Sequence, residues 1–194
     1  SLCFGLPAGF LLAYSRFYGR GMIVSITNTG MGLPPVVVGL AVSILLWRSG
    51  PLGWLRILYT PSAMIIAQTL IATPIIIGVT MAGLQQVNPK LRLQLLGLGA
   101  SRLQLVLYLL REAKLAILAA IIAGFGGAIS EVGASMMVGG NILGQTRVLT
   151  TATVMEVSKG NFELAMAISI ILLLLIYGVT VTLTWLQQRG EKKP

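Results

Sequence analysis

Apolar runs separated by short polar stretches set the pattern of this chain. The first covers residues 2–14 and ends before Arg16 and Arg20. A second covers 22–47 and is interrupted by Gly30, Gly32 and the Pro34-Pro35 pair, where missing amide donors predict a broken helix. Residues 48–60, with Gly50-Pro51 and Gly53, read as a loop. Thr60 and Pro61 suit the N-cap and first position of a third helix, running to about Gly83 with a kink expected at Pro74. A fourth apolar run ends near Ile129 and a fifth covers 161–186, with Asn161 as its expected cap. Runs of this kind approach the roughly 20 residues that cross a hydrocarbon core as a helix.

Between the third and fourth runs lies a polar, basic insert, 88–104. Lys90, Arg92, Gln94, Ser101, Arg102 and Gln104 are too close together for a helix in lipid. Asn88-Pro89 repeats the helix-start signal, and Leu91, Leu95 and Leu98 share one helical face, away from Arg92 and Gln94. Gly97 and Gly99 weaken that helix, and Ser101-Arg102-Leu103-Gln104 fits a capping box that starts another. The insert therefore reads as a short surface helix, a glycine-loosened corner and a helix climbing into the membrane.

Two rows of small residues follow: Ala116, Ala120, Gly124 and Ala128, and Ala119, Ala123 and Gly127. Such rows let helix backbones approach closely, within one subunit or along a seam between subunits. Gly5 and Gly9 make one more small pair. Over 131–160 hydrophobicity falls and glycines scatter, which predicts an irregular outer or cavity-lining region with one short helix at 148–158.

Composition agrees with this reading. Of 194 residues, 56% are hydrophobic and only 10% charged, against about 25% in a soluble domain. The chain reads as one all-α, polytopic membrane domain, 1–194, with about five transmembrane helices. Its net charge of +9 follows the positive-inside rule and calls for no nucleic-acid partner. Ten cations (Arg16, Arg20, Lys90, Arg92, Arg102, Arg111, Lys114, Arg189, Lys192, Lys193) lie on the insert side and four (Arg48, Arg56, Arg147, Lys159) on the other. That bias places the insert and C-terminus in the cytoplasm. The start at Ser1, directly in an apolar run, leads us to expect that an N-terminal portion is missing.

The chemistry on offer is sparse. There is no His, one Cys (Cys3), and five acidic residues, all Glu, so no catalytic or metal-ligand constellation is expected. Gly139-Gly140-Asn141-Ile142-Leu143-Gly144 lacks the Lys-Ser/Thr of a phosphate-binding loop. Glu131, at the outer end of the fourth run, is expected to pair with a cation, line a gate or sit solvated. Glu112 and Lys114 read as solvated interface charges, Glu156 and Glu163 as surface residues, and Trp47, Trp54 and Trp185 as interfacial anchors. Span interiors nearly free of ionisable groups argue against an ion-coupled carrier, so energy is expected from outside the chain. A stand-alone channel or carrier and a membrane-embedded enzyme remain the rival classes.

Leu98-Gly99-Ala100-Ser101-Arg102 resembles the centre of the cytoplasmic loop of type I ABC importer permeases. Gly19-Arg20, Leu33-Pro34-Pro35-Val36-Val37, Gly50-Pro51-Leu52-Gly53, Glu131-Val132-Gly133-Ala134, Gly140-Asn141-Ile142 and Gln145-Thr146-Arg147 look like those of its oxyanion branch. The similarity covers nearly the whole chain. The family's Glu-Ala-Ala positions are Leu93-Gln94-Leu95 here, and its Leu-Pro after the loop is Arg111-Glu112. Both departures resemble tungstate-type permeases more than those for molybdate or sulfate.

The resemblance implies the type I permease fold and a homodimer of permease subunits in a bacterial or archaeal inner membrane. It implies two ATP-binding subunits that carry ATP and Mg, an extracytoplasmic substrate-binding protein, and no cofactor on this chain. It makes 88–104 a coupling loop, with Arg92, Gln94, Leu95, Gly99, Ala100, Ser101 and Arg102 as its coupling residues. Glu131, Gly133 and Asn141 are then candidates for the gate or outer mouth within 131–160. Family permeases of this branch commonly carry one further N-terminal helix.

Overall fold

A computed structural model describes residues 1–191 of the chain, with side chains through residue 188. Lys192 and Lys193, two of the ten cations counted above, lie outside the described residues, as does the side chain of Arg189. The described elements are helical: α1 (Leu2–Tyr14), α2 (Arg20–Met31), α3 (Pro35–Leu46), α4 (Pro61–Gln85), α5 (Pro89–Gly97), α6 (Arg102–Glu112), α7 (Lys114–Ile129), α8 (Gly133–Gly139), α9 (Leu149–Ser158) and α10 (Phe162–Glu191). A single 3-10 turn, Gly53–Leu55, interrupts the loop after α3.

By length and composition α4 and α10 each suffice to cross a membrane. The pairs α2/α3 and α7/α8 qualify if each is one broken span, and α1 is a shorter apolar helix. These are the five expected apolar segments. The second breaks where anticipated, with Pro35 in the first turn of α3. α4 runs through Pro74 as one helix. The fourth segment differs from expectation: Ala113 separates α6 from α7, which the run of hydrophobic residues did not signal. Thr60 precedes the first residue of α4 as expected, its carbonyl accepting from the Met64 amide at 3.4 Å, while its hydroxyl donates back to the Ile57 carbonyl.

The chain forms two compact units. Of the described residues, the first comprises 1–31, 73–124 and 182–191. Here α1 lies against the second half of α4 through its small residues. A Cβ on Gly5 would fall 2.6 Å from Ile76 Cγ2, and one on Gly9 would fall 2.8 Å from Thr80 Cβ. The four-residue spacing on one helix thus meets the same spacing on the other, and backbone proximity replaces hydrophobic drive in lipid. Gly83 likewise meets Ala116 of α7, so the first small-residue row is used, at least there, within the subunit. Arg20 Nε donates to the Leu12 carbonyl at 2.8 Å, satisfying a C-terminal orphan of α1 with a cation that suits the helix dipole.

The second unit comprises residues 32–72 and 125–181. Its core is Val42, Leu46, Ala63, Met64, Ala67, Ile71, Ala134 and Val138. Gly133–Gly139 forms the short helix α8, in which Ala134, Ser135, Val138 and Gly139 are buried. α9 occupies the stretch where one short helix was expected. The Tyr59 amide donates to the Val138 carbonyl at 2.8 Å and holds the end of α8 to the loop before α4. Only 6% of the apolar window of α10 is buried, as for a helix whose surroundings are hydrocarbon or another protein.

The candidate coupling corner and the polar cluster of α8 and α9

The insert folds into α5, a corner and α6. Asn88 Oδ1 accepts from the Lys90 amide at 2.9 Å, capping α5 as its Asn-Pro start predicts. At the other end the Ala100 amide donates to Leu95 O and the Gly99 amide to Leu96 O, both at 3.0 Å. That pair of bonds is a Schellman motif, with Gly99 at the left-handed position, φ 77°. Ser101 then caps α6 immediately. Its Oγ accepts from the Gln104 amide at 3.3 Å, while Gln104 Oε1 accepts from the Ser101 amide at 2.8 Å. A helix stop and a helix start are fused over four residues, so the corner is hydrogen-bonded rather than loose.

The corner presents apolar side chains outward. Leu91 and Leu95 are half-buried, but Leu98 is 84% exposed, and Leu93 and Leu103 are each 69% exposed. Leu98 therefore leaves the face it was expected to share with Leu91 and Leu95. It sits at the helix C-cap with φ −81° and ψ 3°, where helical periodicity no longer applies. Gln94, Gly99, Ser101 and Arg102 are also exposed and Ala100 is half-buried. Arg92 is exposed, with its guanidinium 5.7 Å from the centre of the Tyr14 ring. Exposed leucines thus stand beside exposed Arg92 and Arg102 on this corner.

The other candidates lie around α8. Glu131 is 8% exposed, and its Oε1 accepts from the Ala134 amide at 2.6 Å. The carboxylate that the sequence placed at an unfavourable helix end instead caps the helix that follows, where an anion is favoured. Gly133 stands beside it: a Cβ there would fall 2.6 Å from Val36 Cγ2 and 3.4 Å from Glu131 Oε1. Asn141 lies past the other end of α8, a helix about 10 Å long at 1.5 Å per residue. It is a left-handed residue, φ 51°, whose Nδ2 donates to Thr151 O at 3.5 Å. The structure thus brings Glu131 and Gly133 together and keeps Asn141 with a separate set.

That set was largely missed in the sequence. Thr146 Oγ1 donates to Gly139 O at 2.6 Å and accepts from the Ile142 amide at 2.9 Å, closing the glycine-rich loop. Arg147 Nη2 donates to Asn141 O at 3.3 Å. Glu156, read as a surface residue, is 7% exposed. It pairs with Lys159 Nζ at 2.8 Å and accepts from Asn161 Nδ2 at 3.2 Å. The Lys159 hydrogen bond, with help from Asn161 and the Arg147 charge and against the effect of burial, holds its carboxyl below the ordinary value. Only the i, i+3 spacing of Glu156 and Lys159 hinted at this pair. Among the described residues no group of three His, Cys, Asp or Glu is placed to hold a metal ion.

Apolar helices long enough to cross a membrane, with a capped, polar corner between α5 and α6, define the class as a polytopic membrane protein. The comparisons narrow the class. Residues 5–192 match the family of binding-protein-dependent transport system inner membrane components, and the chain belongs to that family. It is 43% identical to a probable anion ABC transporter permease protein of Haloferax volcanii, over 92% of this chain and 79% of that protein. It is 38% identical to the tungstate uptake system permease protein TupB of Peptoclostridium acidaminophilum, over 94% and 80% respectively. A molybdenum transport system permease of Haemophilus influenzae is more distant, at 25% identity over 100% of this chain and 88% of that protein. The fold matches a chain of the inward-facing MetNI methionine ABC transporter with TM-score 0.74 and 18% identity, covering 97% of this chain and 87% of that one. The type I ABC importer permease fold expected from the sequence is therefore present.

Proposed function

We propose that this chain is the permease subunit of an ATP-driven importer for tungstate or a closely related oxyanion. The anion and tungstate permeases above support the cargo, with molybdate and sulfate as the alternatives. Two copies would line the pathway, two ATP-binding subunits would grip the 88–104 corners from the cytoplasm, and an extracytoplasmic binding protein would deliver the anion. Nucleotide hydrolysis belongs to the ATP-binding subunits, and this chain converts their motion into alternating access.

The observation that carries this reading is the α5–α6 corner, hydrogen-bonded at both helix ends while exposing Leu93, Leu98 and Leu103. A stiff lever with an apolar tip can transmit displacement, whereas a loose loop would absorb it. Gln94, Gly99, Ala100, Ser101 and Arg102 set its surface and shape, and half-buried Leu95 anchors it inward. Glu131, Gly133 and Asn141 fall in the region assigned to the outer mouth, where Glu131 and Asn141 shape the two ends of α8.

Cysteines at Gln94 and Leu98, in a background where exposed Cys3 is replaced by Ser, test the docking. Cross-linking of either site to the ATP-binding subunit in the assembled transporter is the expected result. Labelling of both sites only from the extracytoplasmic side would refute the orientation.

A further inference from the structure

Tyr14, the last residue of α1, carries contacts to two other elements of its unit. Its hydroxyl donates to the Leu84 carbonyl at 3.1 Å, in the last turn of α4, where Leu84 is fully buried. Its ring faces the Arg92 guanidinium of α5 at 5.7 Å. Phe10, one turn back on α1, packs against the same ring, with centroids 5.1 Å apart and planes tilted by 53°. One half-buried side chain thus joins the end of α1, the end of α4 and the polar face of α5.

The covalent route from α4 to α5 is only Gln86, Val87 and Asn88. It turns through Gln86 N to Gly83 O and Val87 N to Leu84 O bonds of 3.2 and 3.3 Å. Leu84 O therefore receives both the turn that launches α5 and the Tyr14 hydroxyl. A push on the outer face of α5 reaches α4 through that turn. It reaches α1 through the Arg92–Tyr14 contact.

We infer that Tyr14 and Arg92 form a latch that passes movement of α5 to α1 and α4, so that Arg92 acts on its own chain rather than as a docking contact. This rests on the coupling reading above. Tyr14 is a positioning residue: it touches no cargo and acts through Arg92 and Leu84. A guanidinium over an aromatic face at a wet edge is a weak, orientation-dependent contact, suited to being made and broken in each cycle.

The test uses the assembled transporter in proteoliposomes and reads the ATP hydrolysed per anion imported, together with retention of the ATP-binding subunit on purification. Arg92→Gln and Tyr14→Leu should each raise that ratio about two- to five-fold, the range a contact of this strength supports. The double variant should do no worse than Tyr14→Leu alone, because that substitution already removes the Arg92 contact. Arg92→Lys, which keeps a cation over the ring, should recover part of the loss. Tyr14→Phe, which keeps the ring but not the hydroxyl, should fall between wild type and Tyr14→Leu. All variants should retain the ATP-binding subunit.

A wild-type ratio in Arg92→Gln would overturn the latch while leaving the coupling reading intact. So would loss of the ATP-binding subunit in Arg92→Gln but not in Tyr14→Leu, which would make Arg92 a docking residue. Import by wild type that ignores ATP would overturn the coupling reading and the latch with it.

Discussion

Gly39 of α3 lies so close to Ala134 of α8 that a Cβ on the glycine would sit 2.6 Å from the Ala134 Cα and 3.0 Å from its Cβ. The obstacle is backbone, which cannot swing aside as a side chain can. Replacing Gly39 with Val should therefore force the two helices apart, at about 1–3 kcal/mol for overpacking and toward the upper end. Thermal unfolding of the detergent-solubilised protein measures this, and an unchanged midpoint would mean that α8 does not rest on α3.

Gly99 is a different case, because a Cβ there meets nothing within 4 Å. Its constraint is the left-handed backbone that closes the Schellman motif. Gly99→Leu should cost about 1–2 kcal/mol locally, by the strain of a left-handed L-residue. The corner should then reshape without loss of membrane insertion. ATP hydrolysis should continue while uptake falls, and uptake at the wild-type rate would argue against a shaped corner.

Glu131 acts on α8 as a hydrogen-bond acceptor. Glu131→Gln keeps an acceptor for the Ala134 amide and should cost little. Glu131→Ala leaves that amide unpaired in a buried site and should cost about 1–3 kcal/mol. Equal loss of stability in both variants would show that the charge, and not the cap, is what matters there.

Glu156 makes the cluster it forms with Lys159 and Asn161 sensitive to acid. Its carboxyl titrates below its ordinary value of 4.5, so the Lys159 and Asn161 contacts add stability above that value and lose it as pH falls through the lowered one. Lys159 and Arg147 are the cations that face it. The melting-temperature gap between wild type and Glu156→Gln should be widest at neutral pH and close on acidification. Because the Lys159 side chain is 55% exposed, added salt should narrow the gap too. A gap independent of pH would mean that the pair is not ionic.

Local signals in the chain were the legible ones. Asn88 with Pro89, and Ser101 with Gln104, act over two to three residues, and the structure shows both caps. The Pro34-Pro35 break and the expected apolar segments were readable for the same reason, since missing donors and long apolar runs need no tertiary partner. Leu98 was misplaced because periodicity assumes that the helix continues, and the helix stops one residue earlier. Glu156 reads as a surface residue in the sequence because its burial depends on the turn through Lys159 and Asn161. α8 is not legible in the sequence, since its glycines argue against a helix in isolation and make sense only where Gly133 meets Val36 of α3 and Gly139 meets Met64 of α4. The Tyr14–Arg92 contact joins residues 78 apart in the chain, and no spacing rule reaches that far.

The most direct test of the account is anion uptake into sealed vesicles holding this chain alone or together with its ATP-binding and substrate-binding partners. Radiolabelled tungstate should accumulate only in the complete system with ATP at the α5–α6 side, and should stop when hydrolysis is blocked. Steady accumulation by this chain alone, indifferent to nucleotide, would contradict it.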